Sequence, residues 1–378
     1  MKLLHLADLH IGKRVYEYSM LEEQKEALGQ AVSMAIEQKV DVVLIAGDVY
    51  DKSIPTVDGM KLFDDFLTTL SEENIPVLFI SGNHDSTERL SFGSKLLELA
   101  GVYVLGSSKE QIASITFSDA YGEVNFYLLP FIKPSQVQLK EGEAIPNNYT
   151  EMIQLLLRRM KIDNTKRNVI LAHQFVGGTG IKVLETDSET KSIGGLDMVD
   201  YRVFDAFDYV ALGHLHKSQN IGRETVRYAG SPIKYSFSEA RHRKSATLVT
   251  IKEKGNIKIE KLPFSPLHDM REIKGTFEQL TKEDVLNAGD REDYIHITLT
   301  DEEEIYDVLG KLRAIYPNVL LLDFDNKRIR ATGVRPITEE VIRKQGTLEL
   351  FREFFLKQTG MSMEEIQEKM IRDILEEV

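Results

Sequence analysis

The stretch "DYVALGHLH", residues 208–216, runs an apolar segment into a glycine and then into two histidines one residue apart. In an extended chain, side chains two positions apart point to the same side. His214 and His216 are therefore offered to one place. The arrangement recurs along the chain. "LLHLADLH" (3–10) delivers Asp8 and His10, and "DVVLIAGD" (41–48) delivers Asp48. "PVLFISGNHD" (76–85) delivers Asn83, His84 and Asp85, and "NVILAHQ" (168–174) delivers His173. Polar residues thus stand at the same end of each apolar run, the end at which open α/β sheets build their sites. Gly47, Gly82 and Gly213 directly precede three of these tips. Glycine there lets the strand turn sharply and lets the backbone come close to its neighbours.

One histidine at a strand end is usually a hydrogen-bonded structural residue, and an aspartate after glycine is usually a turn residue. Five such ends drawing on Asp, Asn and His form a metal-site signature instead. Mixed imidazole and carboxylate ligands suit manganese, iron or zinc better than calcium. The candidate ligands are Asp8, His10, Asp48, Asn83, His173, His214 and His216; with one bridging carboxylate they furnish two sites of four. A same-face pair roughly 6–7 Å apart along a strand can reach two ions roughly 3.5–4 Å apart, so His214 and His216 can each hold one. Two carboxylates leave two dications with positive charge uncompensated, which attracts phosphate and lowers the pKa of a bound water. The reaction class is metal-assisted phosphoester hydrolysis. His84 follows a ligand directly, so its side chain is expected to point elsewhere, to hydrogen-bond the phosphoryl oxygen or to protonate the leaving alkoxide. Asp51, in "GDVYD", is the carboxylate expected to orient it; the plainer reading of Asp51 is a turn cap.

Composition sets the surroundings of this chemistry. The chain has 378 residues, 42% hydrophobic and 28% charged, with no cysteine and a net charge of -13. That length predicts two or three domains. A thiolate zinc site and disulfides are excluded. No apolar run approaches the ~20 residues of a membrane span, and "MKLLHLADLH" is too polar for a signal peptide, so a cytoplasmic protein is expected. The acidic balance argues against coating nucleic acid by bulk charge.

Residues 1–266 read as alternating strands and helices, strand-rich in the later half, which suggests two packed sheets. Helical spacing covers 20–39, 57–70 and 150–160. After the prolines at 263 and 266, residues 267–335 read as a small α+β unit with a helix over 302–315. Residues 336–378 read as helices.

The ordered set "DLH" (8–10), "GDVYD" (47–51), "GNHD" (82–85), His173 and "GHLH" (213–216) resembles the calcineurin-like metallophosphoesterases. That resemblance implies an α/β (α+β) fold, a two-sheet β-sandwich flanked by helices. It also implies the ligand roles: Asp8, His10, Asp48 and His216 on one ion, and Asp48, Asn83, His173 and His214 on the other. "MKLLHLADLHIGK" (1–13) and "YAGSPIKYSFSEA" (228–240) are similar to the bacterial double-strand-break-repair nuclease branch. What that branch implies is a manganese-dependent DNA exonuclease and hairpin endonuclease of three parts: a nuclease domain (1–266), a capping domain that binds DNA (267–335) and helices (336–378) that dock an SbcC-type ATPase. It further implies a homodimer within a heterotetramer, with ATP bound by the partner. Asp51 does not separate nucleases from simple phosphatases, since relatives vary there.

Lys13, Arg14, Lys217, Arg223, Lys234 and Arg241 form basic segments beside the metal motifs, expected to meet DNA phosphates; a solvated basic face is the simpler account. In the tail, Leu348, Phe351 and Phe355 fall at helical spacing. Ser362 to Glu365 reads as a capping box, opening a stripe through Ile366 and Met370. These residues are expected to pack on the ATPase's coiled coil or back on their own domain. The other histidines, His5, His242, His268 and His296, are expected to be structural. The competing functions are a metallophosphatase of small phosphomonoesters or nucleotides and a scaffold without metals. The complete ligand set opposes the scaffold, and the tail and basic segments oppose the phosphatase.

Overall fold

The computed structural model describes residues 1–105, 113–160, 162–189 and 197–326, and in the tail 351, 352, 355, 363, 367 and 368. The chain divides into two compact units, Met1–Arg271 and Glu272–Val378.

In the first unit two six-stranded sheets lie face to face. The first sheet has the spatial order Ile257–Pro263, Ser245–Ile251, Lys2–Leu6, Val42–Ala46, Val77–Ile80, Val102–Val104. The second runs Gln219–Ile221, Arg223–Tyr228, Tyr209–Gly213, Arg167–His173, Gly122–Leu129, Ala113–Asp119. In the second sheet the inner strands are parallel and both outer pairs antiparallel; in the first, Lys2–Leu6, Val42–Ala46, Val77–Ile80 and Val102–Val104 run parallel, and Ser245–Ile251 and Ile257–Pro263 are added antiparallel. Parallel strands buried on both faces read as continuous apolar runs, which is why "VVLIA" (42–46) and "VLFI" (77–80) show no alternation and are buried throughout.

Alternation reappears in what each residue touches. Leu3, Leu44 and Leu78 of the first sheet meet Phe126, Leu171 and Ala211 of the second in the central core. The opposite face of the second sheet is covered by the helix Tyr149–Arg159 and the turn Tyr201–Phe204, with Ile153, Leu156 and Phe204 packed on Ile170 and Leu212. On the outer side of the first sheet, the helix Val57–Glu72 sets Phe63 edge-on to Phe79, ring centroids 5.5 Å apart. That helix starts at Thr56, whose side chain accepts from the Gly59 amide at 3.1 Å, as an N-cap should. Because neighbouring strands run parallel, their carboxyl ends share one edge of the sandwich. The motif residues all follow those ends.

The second unit contains a three-stranded sheet, Met270–Gly275, Tyr294–Leu299 and Val319–Phe324, over a core of Leu280, Ile295, Ile297, Leu312 and Tyr316. The helix expected over 302–315 is confined to Val308–Arg313. Asp307 adopts the left-handed conformation (φ 47°) just before it, and the acidic run 301–304 would place like charges on adjacent turns. In the tail, Arg352 grips Glu368 through two hydrogen bonds of 2.6–2.7 Å. Phe351 and Phe355 are partly exposed; Leu348, Ile366, Met370 and the Ser362–Glu365 box lie outside the described residues. Among the described residues, no helix is long and apolar enough to cross a membrane.

Candidate metal centre

The seven expected ligands converge. Asp8, His10, Asp48 and Asn83 come from tips of the first sheet, and His173, His214 and His216 from the second. Close approach of the two sheets is what allows this. A Cβ on Gly213 would lie 1.9 Å from the Ala46 carbonyl oxygen, and one on Gly82 would lie 2.0 Å from Asp48 Oδ1. Only glycine fits there. Asp8, His10 and Asp48 all take positive φ, between 43° and 53°. Such backbone is uncommon outside glycine and concentrates where structure is held for function.

Two donor nests share Asp48. In one, His10 Nε2 lies 3.0 Å from His216 Nε2 and 3.6 Å from Asp48 Oδ2. In the other, Asn83 Oδ1 is 3.0 Å from both His173 Nε2 and His214 Nδ1, and His173 Nε2 is 3.3 Å from Asp48 Oδ2. Asp8 accepts the His214 amide on Oδ1 at 2.7 Å, while its buried Oδ2 has no hydrogen-bond partner. Asp8, Asp48 and His173 offer ligand atoms within 4.8 Å of one another, as do His10, Asp48 and His84.

Hydrogen-bond inventory shows that these atoms fit cations. His173 Nδ1 donates to the Ala46 carbonyl at 2.8 Å. A carbonyl only accepts, so once a cation takes the place of the Nε2 proton the ring turns a lone pair toward Asp48 and Asn83. Ser188 gives its hydroxyl proton to Glu239, so it accepts from His216 Nδ1 at 2.7 Å. His216 Nε2 therefore also presents a lone pair, facing His10 Nε2. His10 Nδ1 has no hydrogen-bond partner, so His10 Nε2 either donates to that lone pair or joins it in holding a cation.

Burial controls the charges. It pushes Asp8 up to about 8 and His214 down to about 3. Burial opposes the charged form of His173 as well, but the Asp48 carboxylate beside it outweighs this and lifts it to about 9. Burial alone thus favours an uncharged Asp8, while the pull of Asp48 on the His173 proton marks a place that a cation would take.

His84 is half-buried, and its Nδ1 donates to the Asp51 backbone carbonyl at 2.9 Å. The expected carboxylate contact is thus corrected: the Asp51 carboxylate instead binds Lys13 at 2.8 Å and lies 3.8 Å from His10 Nδ1. Asp85 accepts from the Val49, Tyr50 and Gly82 amides at 2.9–3.0 Å and so ties the two metal loops together. Burial pushes it up to about 6.

Sequence reasoning missed the braces behind the ligands. Gln24 donates to the His10 carbonyl at 2.7 Å and accepts from the Gly12 amide at 2.9 Å, which fixes the loop carrying His10. Glu239, fully buried, accepts from Ser188 and pairs with Lys244, which also donates to the His216 carbonyl at 2.9 Å. Burial opposes ionisation of Glu239, but the Lys244 ammonium and His216 overcome it and hold the carboxyl well below its ordinary range. The only sequence signal was the acid within "YSFSEA" (235–240).

The basic residues fare differently. Arg14 and Arg241 are exposed and Lys217 is half-buried. Lys13 is engaged by Asp51, Lys234 by Asp269 at 2.6 Å and the Ala240 carbonyl, and Arg223 by the Phe204 and Phe207 carbonyls at 3.0 and 2.7 Å. Lys13, Arg223 and Lys234 thus hold the protein's own loops.

A family model described as calcineurin-like phosphoesterase matches residues 1–218, and one described as type 5 capsule protein repressor C-terminal domain matches 266–359. The chain is 32% identical to the SbcD component of nuclease SbcCD from Staphylococcus epidermidis, over 99% of this chain and 98% of that protein. It is 34% identical to the SbcD component of nuclease SbcCD from Staphylococcus saprophyticus, over 85% and 84%.

Proposed function

The chain belongs to the calcineurin-like phosphoesterases, in the SbcD nuclease branch, and from that premise we propose how its own residues cleave DNA. It is a metal-dependent DNA nuclease component that hydrolyses phosphodiester bonds. Asp8, His10, Asp48 and His216 hold one divalent cation, and Asp48, Asn83, His173 and His214 hold the other. Manganese suits this mixed set of imidazole, amide and carboxylate ligands. When bound, the two cations supply positive charge to the phosphate and ease deprotonation of water.

The protein's part is orientation and proton handling. Ala46 and Ser188 fix the imidazole tautomers. The Asp51 carbonyl fixes His84 through Nδ1, leaving Nε2 to pass a proton to the departing sugar oxygen. Lys13 holds the Asp51 carboxylate and so steadies that loop. Arg14, Lys217 and Arg241 meet backbone phosphates without reading sequence.

The partner is an SbcC-type ATPase, which binds the ATP; this chain acts as a homodimer within a heterotetramer in the cytoplasm. Of the three parts, residues 1–266 form the nuclease domain, 267–335 bind DNA, and 336–378 dock the ATPase through Leu348, Phe351, Phe355, Ile366 and Met370. The modes of cutting are double-strand exonuclease and hairpin or single-strand endonuclease.

The observation that carries this reading is the sharing of Asp48 between two nests of imidazole nitrogens. The test is cleavage of linear duplex and hairpin DNA with manganese, magnesium or zinc, with and without the ATPase and ATP. Degradation with manganese, faster with the partner, is expected. Rapid turnover of a small phosphomonoester with no DNA cleavage would favour the metallophosphatase.

A further inference from the structure

Beside the metal centre the two sheets face each other across a band that is polar rather than apolar. On the first sheet, His5 pairs in register with Thr247, and Thr247 with Lys261. These share the inward face with Leu3, Val249 and Ile259 of the central core. On the second sheet Arg227 stands opposite Ala211, another core residue, and so also faces inward. His5 Nδ1 meets the Tyr209 hydroxyl at 2.9 Å across the gap.

Arg227 is only 7% exposed, and among the described residues it makes no hydrogen bond and no ion pair. Thr247 Oγ1 and Ser245 Oγ are likewise buried without a partner. A guanidinium stays charged at any physiological pH, and burying it unpaired is costly. The charges that reach this band are cationic. Burial, and after it Arg227 and Lys217, lowers Lys261 at the rim. Burial, with Arg227 acting in the same direction, brings His5 to about 3. No carboxylate is among the causes in either case. Planar N–H donors and two buried hydroxyls, with the exposed Lys261 at the rim, describe a receptor for an oxyanion.

We propose that Arg227, Thr247, Ser245 and Lys261 form a phosphate-binding site between the two sheets, separate from the metal ligands. Its ligand is a small phosphate, either free or the terminal group of a mononucleotide; burial of Arg227 excludes duplex DNA. The site neighbours the metal loop: a Cβ on Gly230, which follows the Arg227 strand, would lie 2.8 Å from the His216 carbonyl oxygen.

The test uses the full chain in chloride buffer with EDTA, so that the metal centre takes no part. Thermal unfolding and titration calorimetry are run with sodium phosphate and with deoxyadenosine monophosphate, against sodium chloride at equal ionic strength. A saturable rise in Tm of about 2–4 °C at high occupancy is expected, lost in Arg227→Gln. Thr247→Val, which keeps the charge, should raise the midpoint concentration severalfold. This variant carries the test should Arg227→Gln fail to fold. A response to both compounds identifies a nucleotide's terminal phosphate as acceptable, and a response to inorganic phosphate alone identifies an enclosed free anion. No response to either, a response undiminished in Thr247→Val and Arg227→Gln, or one that appears only with metal would overturn the proposal and leave the band to ordered water.

Discussion

Replacing Glu239 with glutamine should loosen the metal centre without touching a ligand. Glu239 is fully buried, holds Ser188, and Ser188 in turn receives His216 Nδ1–H. Glutamine keeps the shape and removes the charge. Lys244, 8% exposed at its side chain, would then be a buried ammonium without its counter-ion. Breaking a buried pair on one side costs about 3–5 kcal/mol. The carboxamide and the remaining bonds of Lys244 to the His216 carbonyl and Ser231 place the expected loss at the lower end, about 3 kcal/mol. Loss of an outer hydrogen-bond partner of a metal-binding histidine weakens metal binding about 10–100-fold. Urea unfolding in EDTA reads the first quantity, and manganese titration calorimetry the second. Ser188→Ala separates them, since it should cost only about 1 kcal/mol of stability yet show most of the metal effect. If both variants bind manganese as tightly as the parent, the chain from Glu239 through Ser188 does not orient His216. The pH dependence has a definite sign. The folded carboxyl lies below its ordinary value, so its contribution is full above the unfolded pKa of about 4.3 and fades as pH falls toward the folded value. Glu239→Gln should therefore flatten the acid side of the stability profile.

Other substitutions test other links. His84→Gln should keep both metals by calorimetry while cleavage falls about 10²–10⁴-fold; metal loss instead would make His84 a ligand. Gly213→Ala forces a methyl against the Ala46 carbonyl, and a melting curve should show at least the ~1–3 kcal/mol of an overpacked core, with weaker manganese binding. Asp119→Ala leaves Arg167, buried to 4% exposure, without its carboxylate partner; it should cost about 3–5 kcal/mol in urea and leave cleavage per folded molecule unchanged.

Much of the site was legible because its parts are local. Each tip is an apolar run, often a glycine, and a polar side chain, and parallel pairing forces such tips to one edge. The helix over 57–70 and the strands that carry the ligands follow from the same spacing. What stayed hidden was non-local. Glu239 and Ser188 lie 51 positions apart, and nothing in "SFSEA" says which histidine they serve. The role of Asp51 was misread because a backbone carbonyl leaves no trace in residue type. Lys13, Arg223 and Lys234 read as solvent-facing cations, yet each closes onto a carbonyl or carboxylate of its own fold. The helix over 302–315 was cut short by the left-handed turn at Asp307, which spacing does not reveal.

The contact of Gly213 with Ala46 joins one sheet to the other at the point where the ligands gather. Four donors ride on the first layer and three on the second, so any cation seated there rivets the layers together. Chelation should consequently be felt as shear: the two layers would open at this rim before either loses its own ladder, and amide exchange would quicken first at the strand tips and last at the strand centres.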